Sequence, residues 1–129
     1  MKSHLKIGEI REVKHLVEKE DLAVFNNKTV HPVYSTFALG RDAEWACRQF
    51  VLELKEDDEE GIGTFLHIEH RSPALLNQEV VFVAELKEIN GNNVICSYQA
   101  KVGNRLIADG EQGQKILKKE KVKQLLSGV

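Results

Sequence analysis

The feature that most constrains this chain is one stripe of apolar side chains at helical spacing, followed only by segments of a different period. From Leu39 to Leu54 the residues Leu39, Ala43, Ala46, Cys47, Phe50, Val51 and Leu54 recur at intervals of three and four. That spacing lines them along one face of an amphipathic helix. Downstream, residues 62–70, 79–89, 93–102 and 105–117 are rich in Val, Ile and Phe, with turn signals at Asn90-Gly91-Asn92 and Gly103-Asn104. The pattern predicts an antiparallel meander of four strands. A lone helix buries its stripe only against another layer, so the expected fold is α+β, with a curved sheet wrapped around one long helix.

The flanks are less determined. Residues 6–17 carry Ile7, Ile10, Val13 and Leu16 among charges, which reads as either a short helix or a bulged edge strand, a fifth strand of the sheet. Leu22 to Tyr34 mixes apolar residues with Asn26, Asn27, Thr29, His31 and Pro32, the composition of a loop or lid holding one short helical turn at most. The acidic run Glu56 to Glu60 opposes the dipole of a helix C-terminus, so the helix should stop near Lys55 and the run should be a solvated loop. Lys118 to Leu126 reads as a short amphipathic tail helix.

Composition narrows the function classes. With 129 residues, 42% of them apolar and only two prolines, residues 1–129 suit a single domain. A formal charge of −2 provides no field for nucleic acid or an anionic membrane, so any anionic ligand must be held locally. Apolar runs such as Val80 to Ala84 are too short to span a bilayer, and the charges in Met1 to Val13 do not suit a signal peptide. The expected setting is soluble and cytoplasmic. Cys47 and Cys96 form no CxxC or zinc-type spacing and read as free buried thiols.

Several side chains could carry chemistry. In the segment Thr64-Phe65-Leu66-His67-Ile68-Glu69-His70, alternation places His70 with Leu66 and Ile68 on the face toward the helix and separates it from His67. His70 is therefore either a core histidine or a functional one. Glu44 lies at the boundary of the helix stripe, where a carboxylate can reach the sheet edge and act as a base, although Arg48 four residues on also makes it a candidate for an ordinary surface pair. Ser35-Thr36 reads first as a helix cap. If residues 36–44 are all helical, Thr36 and Glu44 lie about 12 Å apart along the axis. Cooperation between them then requires a curved entry segment that Gly40 would permit. Gly61-Ile62-Gly63-Thr64 opens a strand where glycine lets backbone N–H groups approach a carbonyl, or where it only shapes the loop.

Taken in order, Ser35-Thr36, Glu44-Trp45-Ala46-Cys47, Gly61-Ile62-Gly63-Thr64, His70, Val83-Ala84-Glu85-Leu86, Asn90-Gly91 and Ile107-Ala108-Asp109-Gly110 resemble the fluoroacetyl-CoA thioesterase group of hotdog-fold proteins. The resemblance runs from about Val33 to Gly110. It implies a hotdog fold and an active site of Thr36, Glu44 and His70. It also implies that Gly63 offers a backbone amide to the thioester carbonyl, and that the protein is a homodimer or a dimer of dimers. Thr64, Tyr34 and Phe37 join Gly63 as expected substrate-binding residues, with Trp45 nearby. The implied substrate is an acyl-CoA, with no metal and no cofactor beyond the coenzyme A of the substrate itself.

The chain departs from the family pattern at Gly110-Glu111-Gln112-Gly113-Gln114, where Gly-x-His-x-Arg is usual, and at Leu76-Asn77, where Pro-Gly is usual. The segment before Thr36 lacks the aromatic residues of the fluoroacetate-selective enzyme, so a different short acyl group is expected. Lys115, Lys118, Lys119, Lys121 and Lys123 either meet the phosphates of coenzyme A or are solvated tail lysines. The competing reading is a hotdog module that binds acyl-CoA or another small ligand without turning it over. The Asp-x4-His spacing of hydratases with this fold does not occur.

Overall fold

The computed structural model describes residues 1–129, the side chain of Val30 excepted. One long helix, α1 (Thr36–Leu54), lies in a curled antiparallel sheet built from β1 (Ile10–Leu16), β4 (Glu59–Leu66), β5 (Glu69–His70), β6 (Glu79–Asn90), β7 (Asn93–Val102) and β8 (Arg105–Lys118). A separate hairpin of β2 (Leu22–Phe25) and β3 (Lys28–Tyr34) precedes the helix, and α2 (Lys119–Ser127) ends the chain. The apolar stripe is buried as its spacing requires: Leu39, Ala43, Ala46, Cys47, Phe50, Val51 and Leu54 form one core with Val80, Phe82, Ala84, Leu86, Cys96, Tyr98 and Ile107 of the sheet.

The helix begins three residues earlier than the stripe. Ser35 is the N-cap, its hydroxyl accepting the amide of Ala38 at 3.0 Å, and the helix ends at Leu54 with Lys55 as C-cap. The acidic run is not a solvated loop throughout. Glu59 and Glu60 start β4, and the buried Glu59 carboxylate receives the N-terminal ammonium at 2.8 Å.

The sheet order is β1-β6-β7-β8-β4, which corrects the expected meander. The two-residue turns at Gly91-Asn92 and Gly103-Asn104 close hairpins, Gly91 and Gly103 taking φ of 60° and 59° as tight hairpin turns demand. The edge strand β1 occupies the place beside β6, and β4 passes around the helix to pair with β8. Residues 6–17 thus resolve into an edge strand, not a helix.

The lid segment is also more ordered than its composition suggests. A 3-10 turn at Lys19–Asp21 leads into the β2–β3 hairpin, whose turn residues Asn26 and Asn27 take φ of 52° and 61°. Asparagine tolerates this left-handed region better than most residues. Asn77 does the same at φ 69° in the turn where the family has Pro-Gly.

Candidate active site

Adjacent hydroxyls at the start of α1 have different partners. Ser35 caps the helix, which frees the exposed Thr36 side chain, and Thr36 Oγ1 lies 2.8 Å from His70 Nε2. His70 is presented by the two-residue strand β5, paired with Asp109 and Ala108 of β8. Just before it, the amide of His67 donates to the Glu111 carbonyl at 2.8 Å and Tyr98 donates its hydroxyl to the His67 carbonyl at 2.8 Å. The expected strand 62–70 is therefore two strands, broken at His67–Ile68.

A second group forms further along α1. The Glu44 carboxylate lies against Gly63, so closely that a Cβ there would stand 2.6 Å from Glu44 Oε1. Gln112 Nε2 donates to the same oxygen at 3.4 Å. Gly63 and His70 are an odd number of residues apart, so strict alternation would send them to opposite faces of the sheet. A bulge removes the conflict. Gly63 pairs with Gln114 and Phe65 with Gly113, which leaves Thr64 as the extra residue on β4. Leu66 and Ile68 then face Gly40 of the helix, and Gly61 faces Val51 and Arg48.

The condition set for Thr36 and Glu44 to cooperate within one chain is not met. Residues 36–54 form a continuous helix, which puts the two about 12 Å apart along its axis. Gly40 makes no bend. It lets the helix pack closely on β4, since a Cβ there would stand 3.1 and 3.2 Å from Leu66 and Ile68. Within one protomer Thr36 with His70 and Glu44 with Gly63 are therefore two separate groups.

Beside Thr36 and His70 opens a cavity of about 720 Å³, walled by Phe25, Tyr34, Phe37, Leu39 and Ile107 among others. The lining is mainly apolar, as binding pockets for small molecules are. Phe37 stands 84% exposed at its mouth, and Tyr34 offers only its ring, because its hydroxyl donates to Asp42 at 2.5 Å. Neither Glu44 nor Gly63 is on this wall. Trp45, next to Glu44, is half-exposed.

Two features were missed from the sequence. Arg48 does not pair with Glu44; its guanidinium binds Glu60 at 2.6 Å, the Gly61 carbonyl at 3.1 Å and Gln114 Oε1 at 3.1 Å. Gln112 and Gln114 were the available signal, two amides on the inward phase of an otherwise apolar strand. The second feature is a charged cluster beneath the lid. Asp21 receives Arg41 Nη2 at 2.9 Å and His15 Nε2 lies 2.7 Å away, while Arg41 also binds Asp42. Burial pushes the Asp21 carboxyl up, but the amide of Glu18, His15 and Arg41 outweigh it and hold it below the usual carboxylate range. Burial, reinforced by Asp42, pushes the Tyr34 hydroxyl up. Cys47 is no competing nucleophile, since the adjoining Cys96 thiol and burial keep it protonated.

Of the tail lysines, Lys118 is spent on Asp58 at 2.9 Å. Among the described residues, no helix is long and apolar enough to cross a membrane.

Residues 17–120 match the family described as fluoroacetyl-CoA-specific thioesterase. The chain belongs to that family. A thioesterase superfamily member from Thermus thermophilus is 32% identical, with 95% of this chain and 90% of that one covered and a TM-score of 0.90. The fluoroacetyl-CoA thioesterase FlK is 20% identical over 98% of both chains, at a TM-score of 0.89. A hot-dog-like protein from Thermanaerovibrio acidaminovorans is 18% identical over 95% of this chain and 90% of its own, at 0.87. No curated protein matches. The architecture is thus the hotdog fold of this thioesterase family, and thioester hydrolysis is the class of chemistry the family membership supports.

Proposed function

We propose that this thioesterase hydrolyses a short-chain acyl-CoA to the free acid and coenzyme A at a site completed by two protomers. The observation that carries the reading is the division just described: a carboxylate seated on a strand glycine, and a hydroxyl–imidazole pair on the wall of an apolar cavity. Each supplies part of what a thioester needs, and their separation along α1 supports a site whose parts come from different subunits. A homodimer, or a dimer of dimers, brings Glu44 and Gly63 of one protomer to Thr36 and His70 of its partner. The edge position of β4, with Phe65, Leu66 and Trp45 exposed nearby, supports such pairing.

In this arrangement the acyl group enters the apolar cavity. Glu44 attacks the thioester carbonyl to give a glutamyl anhydride that water then hydrolyses, or takes a proton from the water that attacks the carbonyl directly. The Gly63 N–H meets the oxyanion as charge develops on the carbonyl oxygen. His70, oriented by Thr36, passes a proton to the departing thiolate, so thioester and water become carboxylic acid and thiol. Thr64, by forming the bulge, sets the direction of Gly63. The free thiols Cys47 and Cys96 suit a reducing cytoplasmic setting.

Thiol release measured across a panel of acyl-CoA esters tests the reading. Turnover of short acyl chains is expected, with Glu44→Ala lowering kcat by about 10²-fold or more. Tight acyl-CoA binding without thiol release would replace it with the non-catalytic binding module.

A further inference from the structure

Gln112 and Gln114 stand at the two positions where the chain departs from Gly-x-His-x-Arg, and both are almost wholly buried, at 1% and 2% exposure. A side-chain amide taken out of water is unfavourable unless its donor and acceptor groups are met, so two of them on an inward strand face require a reason. Their hydrogen bonds form a line. Arg48 Nη1 donates to Gln114 Oε1 at 3.1 Å, Gln114 Nε2 donates to Gln112 Oε1 at 3.2 Å, and Gln112 Nε2 donates to Glu44 Oε1 at 3.4 Å.

The direction of this line is fixed at both ends. A guanidinium only donates and a carboxylate only accepts. Turning either amide over would set N–H against guanidinium or oxygen against oxygen. Arg48 is itself anchored by Glu60 and the Gly61 carbonyl. The strand opposite is cut back to make room: a Cβ at Gly61 would stand 2.9 Å from Gln114 Oε1 and 3.2 Å from Arg48 Nη1, and one at Gly63 would meet Glu44.

We propose that Arg48, Gln114 and Gln112 form a one-way hydrogen-bond relay whose task is to aim the Glu44 carboxylate at the reacting carbonyl. Gln112 is a positioning residue in direct contact with Glu44, and Gln114 and Arg48 act through it. The relay also ties α1 to β4 and β8 behind the site, so the carboxylate is held by three elements at once. The inference rests on the catalytic reading of Glu44.

The test compares three variants at one position, with kcat, KM and thermal midpoint measured on the best acyl-CoA of the panel. Gln112→Met keeps the length but passes no N–H, and Gln112→Glu turns an acceptor toward Glu44. Gln112→His in its neutral form keeps one acceptor and one donor, so it continues the line in the same sense. Losing a hydrogen bond to a charged group predicts that the Met and Glu variants lower kcat by about 10- to 100-fold. Removing an interaction that acts in the transition state leaves KM within about threefold. The His variant is expected to recover most of the rate. A Met variant as fast as wild type, or a His variant as slow as Met, overturns the relay.

Should Gln112 variants fail to fold, Arg48→Met against Arg48→Lys reads the other end of the line: the Met variant loses rate and the Lys variant regains it, and equal rates in both overturn the proposal. An active Glu44→Ala removes the catalytic reading and the relay with it. An inactive Glu44→Ala beside fully active relay variants removes the relay alone.

Discussion

Ser35 and Thr36 differ by one methyl group and sit side by side, yet one serves the helix and the other serves His70. Replacing Ser35 by Ala removes the cap and is expected to cost about 1 kcal/mol, read as a fall of a few degrees in thermal midpoint, with kcat little changed. Thr36→Val keeps the shape and loses the contact with His70, so its effect should fall on kcat with the midpoint nearly unmoved. Gly63 gives the sharper case. Its backbone does not occupy the left-handed region, so alanine is tolerated conformationally. The added methyl would nonetheless displace the Glu44 carboxylate, the flexible tip it meets at 2.6 Å. Gly63→Ala should therefore fold normally by circular dichroism and lose about tenfold or more in kcat.

At the scale of elements, the lid hairpin is fastened to α1 and β1 by charge. Asp21 joins His15 of β1 to Arg41 of α1, and its carboxyl is held below the usual range. A carboxyl with a lowered folded-state pKa contributes stability that is complete above its unfolded value, about 3.9, and is lost as pH falls through the lower folded value. Wild type should have the higher thermal midpoint than Asp21→Asn above the unfolded carboxyl value, and the gap should close as pH falls through the lower folded value, as measured by calorimetry across the acid range. The elements also show what local reading captures. α1, β6, β7 and β8 lie where periodicity and Asn-Gly or Gly-Asn turns place them, because both signals reside in neighbouring residues. The β2–β3 hairpin was missed: its turn, Asn26-Asn27, is a weaker hairpin signal than Asn-Gly, and Pro32 interrupts its second strand.

For the molecule as a whole, the decisive question is whether the two groups on α1 and the sheet meet across subunits, as proposed. Mixing Glu44→Ala with His70→Ala protein under subunit exchange tests it, because each mixed dimer would carry one intact composite site. Random pairing predicts recovery of about a quarter of wild-type activity, and a site contained in one protomer predicts none. The sequence by itself determined the helix and its buried face and three of the sheet's strands, since spacing and turn chemistry are properties of contiguous residues; the hotdog fold was legible only through the family resemblance. Only the tertiary structure decided that β4 lies beside β8, that a bulge at Thr64 turns Gly63 and His70 to the same face, and that Arg48 reaches Glu44 through two glutamines. Those outcomes depend on which distant segments share a hydrogen-bond ladder, and that choice is made by burying the whole core at once.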